Sequence, residues 1–210
     1  MKVILNCAMS ADGKIALPTR RQTRISNPED LERVHRLRNG VDAILVGIGT
    51  ILADDPKLTV SEKYISEPSH PLRIVLDSKG RTPPSAEVLK GDAKTLIVTA
   101  ENCSKEFPGA KVVRLGEDRV DIHRLLDFLS SNGIKNLLVE GGGEVMWSFL
   151  NRGLADEISI FVGSMIIGGS DSPTLAGGEG ADSLDNVRRL ALKDCERLGD
   201  GVLLRYEVLK

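Results

Sequence analysis

Apolar residues along the chain fall into short runs that alternate with amphipathic stretches. Val3 to Ala8 is a short apolar run broken only by Asn6, and it predicts a strand. Ser26 to Gly40 predicts a helix. Asn27 suits the N-cap, Pro28 the first helical position, and Glu29, Asp30 and Glu32 the positive helix start. Leu31, Val34 and Leu37 line one face, Arg36 and Arg38 favour the far end, and Gly40 stops it. Asp42 to Ile48 is too short and too apolar for a surface helix and predicts a buried strand. Strands follow at Leu72 to Leu76 and Thr95 to Thr99, with a weaker one at Lys111 to Leu115.

Asp121 to Asn132 carries Ile122, Leu125, Leu126 and Leu129 on one helical face, and Gly133 ends it. Asn136 to Val139 predicts a strand, Glu144 to Asn151 a short helix, and Ile158 to Val162 another strand. The tail has two long candidates, Val187 to Leu198 and Gly201 to Leu209, joined by the hairpin signal Asp200-Gly201. The alternation predicts an α/β fold with a mixed, mostly parallel central sheet flanked by helices and closed by an antiparallel C-terminal hairpin. Two stretches read as loops, Ser61 to Pro71 and Gly163 to Asp185, and the second is long enough for a lid or binding loop. No repeat or composition shift marks a boundary, so residues 1–210 read as a single domain.

Composition narrows the function classes. Net charge is −2, so no positive field exists to hold nucleic acid. No apolar run approaches the ~20 residues of a membrane span, and the start reads as a strand rather than a signal peptide. Cys7, Cys103 and Cys195 are odd in number and far apart, which suggests neither a zinc site nor a disulfide framework and leaves a reducing cytoplasm as the expected compartment. His35, His70 and His123 have no ligand spacing, so no metal site is expected, and His35 reads as structural.

Chemistry gathers at strand ends. Val139-Glu140-Gly141-Gly142-Gly143 follows a predicted strand and precedes a helix. Glycines there allow close backbone approach to a ligand, although a tight turn would use them too. Glu140 would repel phosphate, so its carboxylate suits polar contact or proton transfer. Val46-Gly47-Ile48-Gly49-Thr50 lacks the dinucleotide fingerprint because Leu52 stands where glycine is required. The acids of Asp54-Asp55-Pro56 suit either a turn cap or a ribose or amino contact. Asp12-Gly13-Lys14, taken alone, is a turn with a solvated lysine. Arg24, Arg33, Arg36 and Arg38 are balanced by Glu29, Asp30 and Glu32 and read as a solvated surface, from which one or two could clamp a phosphate.

Taken in order, several segments resemble the riboflavin-biosynthesis reductases, across about residues 1 to 180. They are Asn6-x-x-Met9-Ser10-x-Asp12-Gly13-Lys14-Ile15-Ala16, Arg24-Ile25-Ser26 and Arg33-x-His35-x-Leu37-Arg38. Val41 to Thr50, Asp54 to Val60, Arg73 to Ser78 and Val139 to Gly142 complete the set. The resemblance implies a dihydrofolate-reductase-like fold. The chain carries no deaminase motif, so it resembles the stand-alone archaeal or fungal type, which reduces the ribose of 2,5-diamino-6-ribosylamino-4(3H)-pyrimidinone 5′-phosphate. It further implies NADPH as cofactor, with NADH as an alternative donor, and a homodimer.

By the same resemblance Thr50, Asp54, Leu76, Asp77, Ser78, Lys79, Val139, Gly141, Gly142, Gly143 and Glu144 are cofactor positions. Asn6, Ser26 and Arg38 lie on the substrate side, and Lys14 with Glu140 forms the catalytic pair, either of which can be the acid. The turn Asp77 to Arg81 is the expected reader of the adenosine 2′-phosphate. Ser61 departs from the arginine that many relatives carry there. A dihydrofolate-type reductase and a non-catalytic NADP-binding sensor are the competing expectations.

Overall fold

The computed structural model describes residues 1–20 and 23–210. Their contacts gather in two compact units, one made of Met1 and His35–Leu138, the other of Lys2–Val34 and Val139–Lys210.

The first unit holds β2 (Ala43–Gly47), β3 (Leu72–Leu76), β4 (Thr95–Thr99) and β5 (Lys111–Arg114), in the order β5-β4-β3-β2, followed by the first half of β6 (Asn136–Gly141). The pairs β2–β3, β3–β4 and β4–β5 are parallel. Every residue of β2 and β4 is buried, as strands covered on both faces must be. Helix α2 (Ile48–Asp54) starts directly at the end of β2. The sequence reading placed Ile48 in the strand and missed this helix, because seven residues with two buried apolar positions carry too little periodicity. Helix α3 (Ile122–Ser131) is capped by Asp121, whose side chain accepts from the amides of His123 and Arg124. Ile122, Leu125 and Leu129 are its buried face, each worth about 2 kcal/mol of apolar burial.

Arg73 of β3 is 1% exposed. Its guanidinium donates to the carbonyls of Lys57 (3.3 Å), Lys90 (3.1 Å) and Ala93 (2.5 Å). Burial lowers its pKa, but an arginine this basic stays charged. One side chain thus ties the connecting segments before and after β3 to the strand.

The second unit holds the rest of β6 and then β1 (Lys2–Ser10), β7 (Glu157–Gly163), β9 (Gly201–Val208) and β8 (Leu190–Leu198), in that order. β1 and β7 are parallel, from Ile4 opposite Glu157 to Ser10 opposite Gly163. β7–β9 and β9–β8 are antiparallel. β8 begins at Leu190, not at Val187, because Leu190 faces Val208, the last residue of its partner strand. The hairpin reverses at Gly199 and Asp200, with Gly199 at φ 62°, while Gly201 already pairs with Leu198. The turn sits one residue earlier than the Asp-Gly signal because a Cβ on Gly201 would lie 2.4 Å from the Phe161 ring, so that glycine is needed inside the strand. Helix α4 (Gly143–Asn151) follows β6.

Helix α1 (Pro28–Asn39) starts in this unit. Asn27 caps it as read from the sequence, its Oδ1 accepting from the Asp30 amide at 2.8 Å. The solvated reading of its charges fails at Asp30, which is fully buried. Asp30 accepts from the Ser26 hydroxyl (2.5 Å) and from Arg33 Nε (2.8 Å), and Arg33 also donates to Asn6 Oδ1 of β1 (2.8 Å). Next to Asn6, burial and the charge of Asp30 push the Cys7 thiol up to about 12.

Two outcomes are expected. Arg73→Met leaves three carbonyls without their donor, that of the buried Ala93 among them, and should cost about 3 kcal/mol, read as a lower urea midpoint with an unchanged slope. At about pH 8.5, alkylation should modify the exposed Cys195 first and leave Cys7 untouched in the folded chain, as mass mapping would show. Since the folded Cys7 pKa lies above the ordinary 9.0, its contribution to stability is complete below pH 9 and falls away as pH rises toward about 12.

Candidate active site

In the second unit, β1 ends at Ser10 and the chain turns back through Gly13, which sits at φ 79°. The Ser10 amide donates to the Lys14 carbonyl (2.8 Å), and the Lys14 amide donates to Ser10 Oγ (3.0 Å). Both backbone groups of Lys14 are therefore held by one buried serine. The Lys14 ammonium donates to the Ser172 carbonyl at 3.4 Å. Lys14 is half-buried, so the solvated-turn reading does not hold. An ammonium has three donors, and Ser172 occupies one.

Glu140 is the penultimate residue of β6, the strand beside β1, and is half-buried after the fully buried Val139. Gly141 follows at φ 109°, with nothing within 4 Å of where a Cβ would stand. The Gly141–Gly142 peptide is cis. Gly142 is the N-cap of α4 and supplies no side-chain cap. Gly143 has a different reason to be glycine: a Cβ there would fall 2.5 Å from the Thr174 carbonyl oxygen. Glu144 is exposed in the first turn of α4, where a carboxylate complements the helix dipole. The glycine run thus divides: the buried Gly141 has free space where a Cβ would stand, and Gly143 is closed in by the protein's own chain.

Asn6 and Ser26, expected on the substrate side, are the two ends of the chain Ser26–Asp30–Arg33–Asn6. Sequence reasoning missed Asp30 and Arg33 as its middle. Their i, i+3 spacing on one helix face was the available signal.

The first unit carries the remaining expected residues. Thr50 and Asp54 are half-buried and one turn apart on α2. Asp55, in a left-handed conformation, caps that helix and accepts from the Glu87 amide (2.8 Å), so of the paired acids it is the turn-former. After β3 comes Leu76, then the turn through Asp77, Ser78 and Lys79. Asp77 is fully buried, and its Oδ2 accepts from the amide and hydroxyl of Thr82, both at 2.7 Å. Ser78 Oγ accepts from the Val120 amide at 3.1 Å. Lys79 and Arg81 are exposed on this turn. Arg38 donates to the Thr59 carbonyl (3.3 Å), and His35 Nδ1 accepts from the Ser61 amide (3.1 Å) while stacking on Tyr64. His35 is structural, as read. Asn6, Lys14, Ser26 and Val139 to Glu144 therefore fall in one unit, and Arg38, Thr50, Asp54 and Leu76 to Lys79 in the other. Among the described residues no group of His, Cys, Asp or Glu is placed to hold a metal, and no helix is long and apolar enough to cross a membrane.

Comparison with known proteins places this arrangement. The family described as RibD C-terminal domain matches residues 1–204. A 2,5-diamino-6-ribosylamino-4(3H)-pyrimidinone 5′-phosphate reductase of Methanothermobacter thermautotrophicus is 45% identical, over 98% of this chain and 97% of the relative. One of the same description from Archaeoglobus fulgidus is 42% identical, over 95% and 94%. Among solved structures, RibD of Acinetobacter baumannii superposes with a TM-score of 0.86 at 24% identity, covering all of this chain and 58% of that longer one. A dihydrofolate reductase of Enterococcus faecalis superposes at 0.56 with 10% identity, covering 100% and 97%, which shows a shared fold. With a family match along nearly every residue and reductase relatives of equal length, the chain belongs to the RibD C-terminal domain family.

Proposed function

We propose that this chain is the reductase that converts 2,5-diamino-6-ribosylamino-4(3H)-pyrimidinone 5′-phosphate to its ribitylamino product, using a nicotinamide cofactor. The observation that carries this reading is the 45% identity, end to end, with a reductase so described. The dihydrofolate alternative draws on the fold alone, at 10% identity. Residues 1–210 act as a single reductase domain in the cytoplasm, in keeping with three free thiols.

The residues present fit a phosphorylated dinucleotide. Gly141 leaves open space at its backbone, and α4 begins without a side-chain cap on its first amides. The turn after β3 displays Lys79 and Arg81 on its surface, while its one acid, Asp77, is buried, with Oδ2 on Thr82 and Oδ1 4.0 Å from Arg81 Nε. That charge pattern favours NADPH, with NADH the weaker donor. Thr50, Asp54, Leu76, Ser78, Val139 and Gly142 to Glu144 complete the cofactor positions. The nicotinamide, when bound, supplies the hydride.

The chain's own groups manage charge and position. Lys14 gives a proton to the ring oxygen as the C1′–O4′ bond breaks and the amine lone pair forms the C1′=N iminium. Glu140 balances the positive charge of that iminium until hydride reaches C1′ and leaves a neutral amine. Asn6 and Ser26, held through Asp30 and Arg33, present fixed polar groups to the ribose side. Arg38, beside the Thr59 to Ser61 segment, meets the phosphate, a role the missing arginine at Ser61 leaves to it. The acceleration rests largely on holding C1′ in place.

Absorbance at 340 nm tests the reading. NADPH should be consumed with the ribosylamine, not with dihydrofolate, and no ammonia should appear. Glu140→Gln and Lys14→Met should each lower kcat on the order of 10²-fold or more, with little change in NADPH affinity. A Glu140→Gln protein with normal turnover and a much lower melting temperature would make the glutamate structural.

The chain also forms a homodimer. β8 ends the strand order with an open edge and with Leu190 and Leu192 exposed, which an isolated chain would leave bare. Sedimentation at micromolar concentration should give twice 22.7 kDa, and a mass of 22.7 kDa would refute it.

A further inference from the structure

The segment that follows β7 supplies none of the residues assigned above, yet it is laced to the turn that carries Lys14. The Ala11 amide donates to the Met165 carbonyl (2.8 Å), and the Ile15 amide to the Pro173 carbonyl (2.9 Å). Lys14 itself forms an antiparallel bridge with Thr174. Only one side chain of the turn grips the segment by both of its polar atoms, and that is Asp12. Its Oδ1 accepts from the Ser10 hydroxyl (2.5 Å) and the Ile167 amide (3.1 Å), and its Oδ2 accepts from the Gly168 amide (2.7 Å). Gly168 and Gly169, at φ 71° and 81°, turn the chain in a left-handed curve that only glycine adopts freely. These donors hold the Asp12 carboxyl down at about 2, so it is charged wherever the protein works.

The consequence reaches Lys14. Its ammonium rests on the Ser172 carbonyl, four residues beyond Gly168. The same segment continues to Gly177, whose amide donates to the Gly143 carbonyl (3.1 Å). At Gly178 a Cβ would stand 3.3 Å from the ring of Trp147. We propose that Asp12 is a positioning residue for the reduction: through the amides of Ile167 and Gly168 it holds the 165–174 segment where the Ser172 carbonyl fixes the Lys14 ammonium. The kinetic part of this inference rests on the reading of Lys14 given above.

Asp12→Asn is the test, because its side chain keeps one acceptor oxygen and puts a non-accepting nitrogen in place of the other, so the Ile167 amide or the Gly168 amide loses its partner. The variant should lose kcat by about 10- to 100-fold while the KM for NADPH stays unchanged, since a small misplacement of a reacting group suffices for such a loss. If Asp12 acts through Lys14, Asp12→Asn added to Lys14→Met should cost less than about twofold more. A full multiplication of the two losses, or an unimpaired Asp12→Asn enzyme, overturns the proposal.

Trp147 gives a readout independent of turnover, being the one tryptophan of the chain. Acrylamide should quench it more readily in Asp12→Asn than in the parent, at equal helix content. Unchanged quenching overturns the tie. Should Asp12→Asn fail to fold, Asp12→Glu sets the charge one methylene further out and carries the same cycle and the same two outcomes. A parent chain inert toward the ribosylamine would overturn the functional reading instead, and the quenching of Trp147 would then decide the tie alone.

Discussion

Burial of the parallel strands on both faces is the constraint from which the rest follows. In β2 and β4 no residue reaches solvent, so neither strand can present a charged side chain along its length. An unpaired charge there would cost several kcal/mol. Chemistry is therefore pushed to strand ends and the turns beyond them. Glu140 stands one residue before the end of β6, Lys14 just past β1, and the Asp77 turn just past β3. The one buried arginine among the described residues, Arg73 of β3, is tolerated because three carbonyls receive its guanidinium.

A second consequence is that carboxylates act here as connectors. Asp30 joins Ser26 to Arg33 and, through it, to Asn6. Asp77 closes its own turn on Thr82, and Asp12 joins two segments more than 150 positions apart in sequence, as its bond to Ile167 shows. A carboxylate offers about four acceptor sites and no donor when ionised, so it can gather several amides and hydroxyls at once. In the β3 turn the buried Asp77 serves Thr82 with one oxygen and faces Arg81 at 4.0 Å with the other, and Lys79 is exposed.

The glycine run after β6 shows why a motif need not have one meaning. Gly141 takes a backbone angle open to glycine and leaves space beside it, as a ligand-facing residue would. Gly143 is small because the protein's own Thr174 carbonyl lies where its Cβ would be. Both positions look alike as letters, and only the path of the 165–177 segment separates them.

Element type was legible in the sequence wherever local physics decides it. The strands of both units, the Asn27 cap, the Pro28 start and the apolar stripe of α3 were all read from periodicity and capping chemistry, which act within a few residues. Glu140 was singled out by residue type at a strand end, and Lys14 and the β3 turn by the family resemblance. Helix α2, the one-residue shift of the terminal turn and the start of β8 were not, because they depend on Phe161, on Val208 and on packing supplied from elsewhere in the chain. The same holds for Asp30, a first-turn acid that sequence treats as solvated, and for Asp12, whose partners at 167 and 168 are unreadable from its neighbours. What the sequence by itself determined is where helices and strands form and which residue types stand at their ends. Which of those residues are buried, paired and held in place was decided only by the tertiary structure, because burial and long-range hydrogen bonds belong to segments that meet after folding.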